Sequence, residues 1–321
     1  VNYTHTPLIE CEAVDAGSAI AKVELYYRVN GGAWIILLMT PTTGDFFEVN
    51  IPAQLGTSLV EYYVNATDGA GNWVVDDNGG LNYNYTVSDA VDPVITDVDT
   101  APSSVEYSAT PTIGCDASDV GSGILSVRLF YRVDAGTWTS LTMGFVSGVH
   151  YEVTIPALAW QSQIDYYFNV TDNAGNWLVD DNTGSFYSYS IVDTTNPTVS
   201  ITEPVDQAVL AAIVSIVISA NDPGSGITRI EIALNGTEIA ELTSSPYSYS
   251  WDTTQINDGT YTVTITAFDS AGNQASDSIE VIVLNNPIIQ PPIPGFPIAA
   301  IALAIIAALG IGIYYRRRQP H

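Results

Sequence analysis

Apolar and polar residues alternate with a period of two through most of the chain. Ile9, Cys11 and Ala13 fall on one side of a run while Leu8, Glu10 and Glu12 fall on the other. Val23, Leu25, Tyr27 and Val29 alternate with Glu24, Tyr26, Arg28 and Asn30, and Val60, Tyr62, Val64 and Ala66 with Glu61, Tyr63, Asn65 and Thr67. Successive side chains of a strand point to opposite faces, so each run predicts a strand with one face in a core and the other in water. Turn formers separate the runs: Asn30-Gly31-Gly32 and Asp134-Ala135-Gly136 suit hairpins with positive φ, and Asp68-Gly69-Ala70-Gly71-Asn72 a further tight reversal. No segment before residue 298 carries a sustained helical period. Short strands at roughly 8–12-residue spacing predict an all-β chain of two-sheet sandwiches.

The pattern repeats. Cys115, Trp138, Pro156, Tyr166 and Asn176 each lie 104 residues after Cys11, Trp34, Pro52, Tyr62 and Asn72, so two copies align without a gap. Both close on Asp-x-Ala-Gly-Asn-Trp followed by an acidic pair, Asp76-Asp77 or Asp180-Asp181. A third, diverged copy keeps Asp222-Pro223-Gly224-Ser225-Gly226-Ile227 opposite Asp119 to Ile124, and Asp269-Ser270-Ala271-Gly272-Asn273, but lacks the Trp and the acidic pair. Val1 falls opposite Val105, and copy two has an additional opening segment, Pro93 to Ser104. Copy one is therefore expected to lack its first strand, and the natural protein to continue N-terminally.

The aromatic strand ending in Asp-x-Ala-Gly-Asn, seen three times, and the run Asp258-Gly259-Thr260-Tyr261 before Val263, Ile265 and Ala267, resemble the immunoglobulin and fibronectin type III-like modules found in tandem on bacterial and archaeal surface proteins. The resemblance covers residues 1–285. Antibody-type domains bridge their sheets with a cysteine pair. Here Val64 or Phe168 stands near the second Cys position, so no bridge is implied. Cys11 and Cys115 occupy one position of the repeat, and Ile218 stands there in copy three, which favours a small buried hydrophobe over a ligand or nucleophile. The recurrent Trp34, Trp73, Trp138 and Trp177 are expected in core or inter-sheet packing rather than on a sugar-binding surface.

After the third copy come the extended Pro291-Pro292-Ile293-Pro294 and then Ile298 to Tyr315, with no charged residue. At about 1.5 Å per residue that segment measures roughly 27 Å, close to a hydrocarbon core of about 30 Å. Tyr314-Tyr315 reads as an interfacial pair and Arg316-Arg317-Arg318 as a cytoplasmic stop. The ending, Pro294-Gly295-Phe296, an apolar helix and an Arg cluster, is similar to the C-terminal sorting signals of archaeal surface proteins. That resemblance implies cleavage near the Pro-Gly-Phe by an archaeosortase, with a lipid anchor in place of the helix. The predicted architecture is three tandem immunoglobulin-like β-sandwiches followed by one C-terminal transmembrane helix. Its parts are module 1 (1–91), module 2 (92–193), module 3 (194–285), a Pro-rich spacer (286–297), the transmembrane helix (298–315) and a basic cytoplasmic tail (316–321).

Charge narrows the partners. The 35 acidic residues against 8 basic give a formal −27. With Arg316, Arg317 and Arg318 set aside, five basic residues face the 35, a net −30. Such a surface repels phosphate backbones and argues against nucleic acid, while it suits a coat in salty water or one that recruits Ca²⁺. Asp76, Asp77, Asp180 and Asp181 sit late in their modules, where they could approach Asp15 or Asp119, and are the candidate cation ligands. A solvated turn is the alternative for all four. Asn2, Asn65, Asn84, Asn169 and Asn235 begin Asn-x-Ser/Thr sequences and are candidate glycosylation sites outside the cell. His5, His150 and His321 have no equivalents between copies. There is no nucleophile elbow, no His-Glu-x-x-His and no phosphate loop, and Gly121-Ser122-Gly123 is more simply a turn.

The expectation is a non-catalytic, membrane-anchored cell-surface stalk or adhesion protein, with the membrane, surface proteins or glycans as partners and no cofactor beyond an optional Ca²⁺. Two rivals stand beside it. The modules could be spacers of a surface protease or glycosidase whose catalytic domain lies upstream, or they could associate laterally through exposed sheet edges in a lattice or filament.

Overall fold

The computed structural model describes residues 1–286. Its regular secondary structure is almost all strand, with one short 3₁₀ turn. The motif Pro294-Gly295-Phe296, the apolar segment 298–315, Arg316 to Arg318 and His321 lie outside the described residues, and no helix of the described residues is long and apolar enough to cross a membrane. The chain divides into two compact units, Val1–Thr194 and Thr195–His321. The first unit holds two sandwiches with separate cores, and the second holds one.

Module 1 comprises β1 (Leu8–Glu12), β2 (Ile20–Val29), β3 (Ile35–Leu38), β4 (Thr40–Pro41), β5 (Phe46–Asn50), β6 (Leu59–Asp68), β7 (Trp73–Asp76) and β8 (Tyr83–Thr86). One sheet runs β1-β5-β4, the other β3-β2-β6, with β7 and β8 both on β6. Module 2 repeats this with β9 (Val94–Asp99), β10 (Ser104–Glu106), β11 (Thr112–Ser118), β12 (Ile124–Val133), β13 (Thr139–Thr142), β14 (Gly144–Ser147), β15 (His150–Thr154), β16 (Gln163–Asp172), β17 (Trp177–Asp180) and β18 (Tyr187–Val192). Its sheets are β14-β15-β11-β9 and β10-β18-β16-β12-β13. β11 is flanked by β15 and β9, whereas its counterpart β1 pairs with β5. Beside β1, among the described residues, lies a groove of about 400 Å³ whose walls include Cys11, Val64 and Trp73.

Module 3 has β19 (Thr198–Glu203), β20 (Ala208–Leu210), β21 (Ile213–Asn221), β22 (Ile227–Leu234), β23 (Thr237–Leu242), β24 (Ser248–Asp252), a short 3₁₀ turn, β25 (Gly259–Asp269) and β26 (Gln274–Val283). Sheets β19-β21-β24 and β20-β26-β25-β22-β23 face each other. Its final hairpin is one unbroken pair, β25 against β26. In the other modules the acidic pair and the following Asn interrupt that return strand into two pieces.

The cores are the rows that the alternation marked. Val23, Leu25 and Val60 are fully buried in module 1, Leu129, Ile164 and Phe168 in module 2, and Ile230, Ile232 and Ile265 in module 3. Each such side chain contributes about 1.5–3 kcal/mol on burial. Cys115 is buried, Ile218 takes the same place, and both cysteines are free thiols. Hairpin turns use the expected left-handed residues, with Asn30 at φ 50° and Asp134 at 49°.

The tryptophans correct the sequence expectation. Trp73 and Trp177 are 69% and 61% exposed. Trp34 and Trp138 stand on the outward face, edge-on to Tyr63 and Tyr167 at centroid distances of 4.8 Å, with Arg28 and Arg132 at 4.7 and 4.6 Å over their rings. The physical reason is parity. β2 and β6 bury Leu25 and Val64, so Tyr26, Arg28 and Tyr63 must face outward, and the ring after the hairpin folds onto that row. Arg28 also reaches Glu61 across the strand pair at 2.8 and 3.0 Å, which makes an outer layer of stacked rings and guanidinium groups.

Candidate functional site

Two short motifs of module 2 face each other at the end that receives the linker from module 1. In the first, Asp119 bends the chain before β12. Its Oδ2 accepts the backbone N–H groups of Ser122 and Gly123, both at 2.7 Å, an arrangement available to a short carboxylate that folds back on its own loop. In the second, Asp172 ends β16, and its two oxygens accept the backbone N–H and the side-chain amide of Asn176 at 2.8 and 2.7 Å. That explains the spacing of Asp-x-Ala-Gly-Asn: a five-residue reversal with Gly175 at φ 94° lets its last side chain return to its first. The loops are tied by Ser122, whose hydroxyl accepts the Ala174 N–H, and by Asn173, which donates to the Ser122 and Gly123 carbonyls.

The Asn176 amide has a second role. It donates to the carbonyl oxygens of Asp89 and Val91 at 3.3 and 3.2 Å and so fastens the linker to module 2. On the other side the linker is held to module 1, where Val87 exchanges backbone hydrogen bonds with Thr57 and Ser58, both at 2.8 Å, and the two modules touch directly where the Gly56 N–H donates to the Gly121 carbonyl at 2.8 Å. Asp89 is thereby pressed between two glycines. A Cβ on Gly121 would stand 2.2 Å from Asp89 Oδ2, and one on Gly56 would stand 2.6 Å from Asp89 Cβ. Neither position can carry a larger side chain with Asp89 where it is.

Asp89, Asp119 and Asp172 therefore converge, each offering a carboxylate oxygen within 4.8 Å of the others. Asp172 is fully buried, Asp89 is 9% exposed and Asp119 is half-buried. Asp89 Oδ1 accepts the Val91 N–H at 3.1 Å, but its buried Oδ2 meets no donor. Among the described residues, no Lys, Arg or His forms an ion pair with any of the three. At an effective dielectric of about 20, two unit negative charges about 4.8 Å apart repel by about 3 kcal/mol, so three carboxylates brought together raise a substantial opposing cost. The donor set is oxygen throughout, which suits a hard cation and not zinc.

Residues 197–265 match the bacterial Ig domain family. Together with the strand order of all three modules, this makes the chain a tandem array of immunoglobulin-like modules. Module 3, where the match lies, keeps both motifs of the site: Asp222 Oδ2 accepts the Ser225 N–H at 2.8 Å, and Asn273 donates to Asp269 at 2.7 Å and to the Thr195 carbonyl at 3.3 Å. No curated protein matches the chain. Among solved structures it is similar to a tetra-tandem repeat in the extending region of a large adhesion protein, at 19% identity and a TM-score of 0.40 over 88% of this chain and 71% of that one. It is also similar to the fibronectin(III)-like modules of Clostridium thermocellum CbhA, at 18% identity and 0.29 over 62% and 98%. A third likeness is to an endo-beta-1,4-mannanase from Thermotoga petrophila, at 21% identity and 0.25 over 29% and 21%.

In the Ig modules the four acidic residues singled out from sequence have local partners. Asp76 and Asp180 accept the hydroxyls of Tyr83 and Tyr187 at 3.0 Å, and Asp77 and Asp181 accept the N–H groups of Gly80 and Gly184 at 2.8 Å. They shape the turn before the last strand. Asp119, named only as a neighbour they might reach, is a member of the converging set. Asp89 was missed. Its sequence signal is the contrast between the copies, because Gly56, which leaves room for it, is replaced by Trp160 in copy two. Asn2, Asn84 and Asn235 are exposed, while Asn65 and Asn169 are half-buried on the outward row.

Proposed function

We propose that the chain is a non-catalytic stalk or adhesion protein of the cell surface, in which immunoglobulin-like modules hold a more distal part away from the membrane. The observation that carries this reading is the joint between modules 1 and 2, where the linker is hydrogen-bonded to both neighbours rather than left as a flexible tether. A fixed joint resists collapse of the array, as a spacer requires. Anchorage by residues 298–318, glycosylation at the exposed asparagines and an extracellular position for the modules belong to the same proposal and rest on the sequence.

The test is external proteolysis of intact cells that carry the chain. A surface stalk predicts that full-length chain disappears and that a fragment spanning modules 1 and 2, uncut between residues 87 and 93, accumulates. Protection until the cells are lysed would refute the surface position. Early scission at 87–93 would refute the fixed joint.

A further inference from the structure

We infer that Asp89, Asp119 and Asp172 form a Ca²⁺ site that locks the linker between modules 1 and 2. The acidic cluster is accompanied by an independent sign of a missing partner: Asp89 is more than nine-tenths buried, and its Oδ2 has no hydrogen-bond donor. Buried polar atoms are almost always satisfied, and a buried carboxylate far more so, because its desolvation is otherwise uncompensated. No side-chain cation is at hand, as shown above. Two features keep the carboxylate in place despite that cost: the glycines at 56 and 121, which leave space for nothing but Asp89, and the Asn176 amide on the carbonyl of Asp89 itself.

The remaining lone pairs suit calcium. Asp119 commits Oδ2 to two backbone donors and has Oδ1 to offer, and each oxygen of Asp172 takes one donor and retains further acceptor capacity. An ion about 2.4 Å from each of three ligands lies within reach of oxygens separated by up to about 4.8 Å, and Ca²⁺ tolerates irregular sets of six to eight oxygens. Mg²⁺ demands a near-octahedral shell and retains several waters, which a site walled by glycine backbone and a buried strand end does not accommodate. Because one ligand comes from the linker and two from module 2, the ion would join segments 30 or more residues apart in sequence. This holds whether or not the modules serve as a stalk, so the site and the stalk reading can fail separately.

The experiment compares the full chain, in detergent and freed of divalent ions with a chelator, against two variants: Asp119→Asn alone and Asp89→Asn with Asp119→Asn. Calorimetric titration with CaCl₂ should show the variants binding one ion fewer per chain than the wild type, or binding it at least tenfold more weakly. Ca²⁺ should slow protease cutting at 87–93 at least tenfold in the wild type, and MgCl₂ at the same concentration should not. Asp119 is half-buried and the amide is isosteric, so the single variant keeps the test valid if the double variant misfolds. No Ca²⁺ uptake by the wild type at millimolar concentration, an unchanged stoichiometry and affinity in Asp119→Asn, or equal protection by Mg²⁺ would overturn the inference.

Discussion

Replacing Gly121 with alanine tests the packing at the joint without touching any charge. The added methyl carbon would lie 2.2, 2.4 and 2.6 Å from Oδ2, Cγ and Oδ1 of Asp89, well inside van der Waals contact, and Asp89 is buried and cannot swing clear. Overpacking of this kind costs about 1–3 kcal/mol, offset by about 0.4–1 kcal/mol because alanine stiffens the unfolded chain, which leaves a loss of about 1–2 kcal/mol. In a cooperative unit of the size of residues 1–194 that corresponds to a fall in melting temperature of roughly 2–8 °C by scanning calorimetry. The internal control is Gly17→Ala at the same motif position of module 1. There the nearest atom to the new Cβ, Asp15 Oδ2, is 3.7 Å away, an ordinary contact, so the variant should match the wild type or gain up to about 1 kcal/mol. In an Asp89→Ala background the Gly121→Ala penalty should vanish. If the two glycine variants melt alike, the account of Asp89 as a residue clamped between backbones is wrong.

Three further outcomes follow from particular residues. Ala19 sits at φ 61° where modules 2 and 3 have Gly123 and Gly226, so Ala19→Gly should stabilise module 1 by about 1 kcal/mol in thermal unfolding; a loss of stability would show that the left-handed position is not strained. His150 Nδ1 lies 2.7 Å from Asp116 and its Nε2 3.1 Å from Glu152 and 3.6 Å from Asp99, and the Asp116 hydrogen bond, ahead of that to Glu152, raises its pKa. A raised folded pKa means stability fully present below the ordinary histidine value near about 6.5 and lost as pH climbs through the folded value. The melting temperature of module 2 should therefore fall over that interval, and His150→Phe, which installs the Phe46 of module 1, should flatten the profile. Burial pushes the Cys115 thiol up to about 12, while Cys11 is only half-buried beside the open groove, so a thiol reagent applied to the native chain should modify Cys11 first, as peptide mapping would reveal.

The strands were legible because alternation is a local signal: the buried rows of β2 and β6 could be read from parity alone. The repeat supplied the rest, since a constant offset of 104 residues fixes equivalent strands without any contact being known. The tryptophans were misplaced because recurrence marks a residue that the fold uses without saying on which face. Their neighbours Tyr26 and Tyr63 already carried the outward parity. The joint was harder to read. Asp119 and Asp172 lie 53 residues apart and Asp89 another 30 before them, in a segment with no alternation to orient it, so their convergence depends on how one module sits on the next. The acidic pairs at 76–77 and 180–181 drew attention through local charge density, and in the structure each of these carboxylates takes a donor from its own turn.

The parallel pairing of β10 with β18, Ser104 to Glu106 against Ser190 to Val192, has a mechanical consequence. The chain enters module 2 through β9 in the opposite sheet, crosses directly to β10, and leaves just after β18. Tension applied along the polypeptide would pull those two neighbours in opposite directions along their common axis. Their hydrogen bonds would then be strained together in shear, rather than peeled apart one at a time from an end. β20 and β26 of module 3 are paired in the same parallel way, so the same shear geometry recurs there.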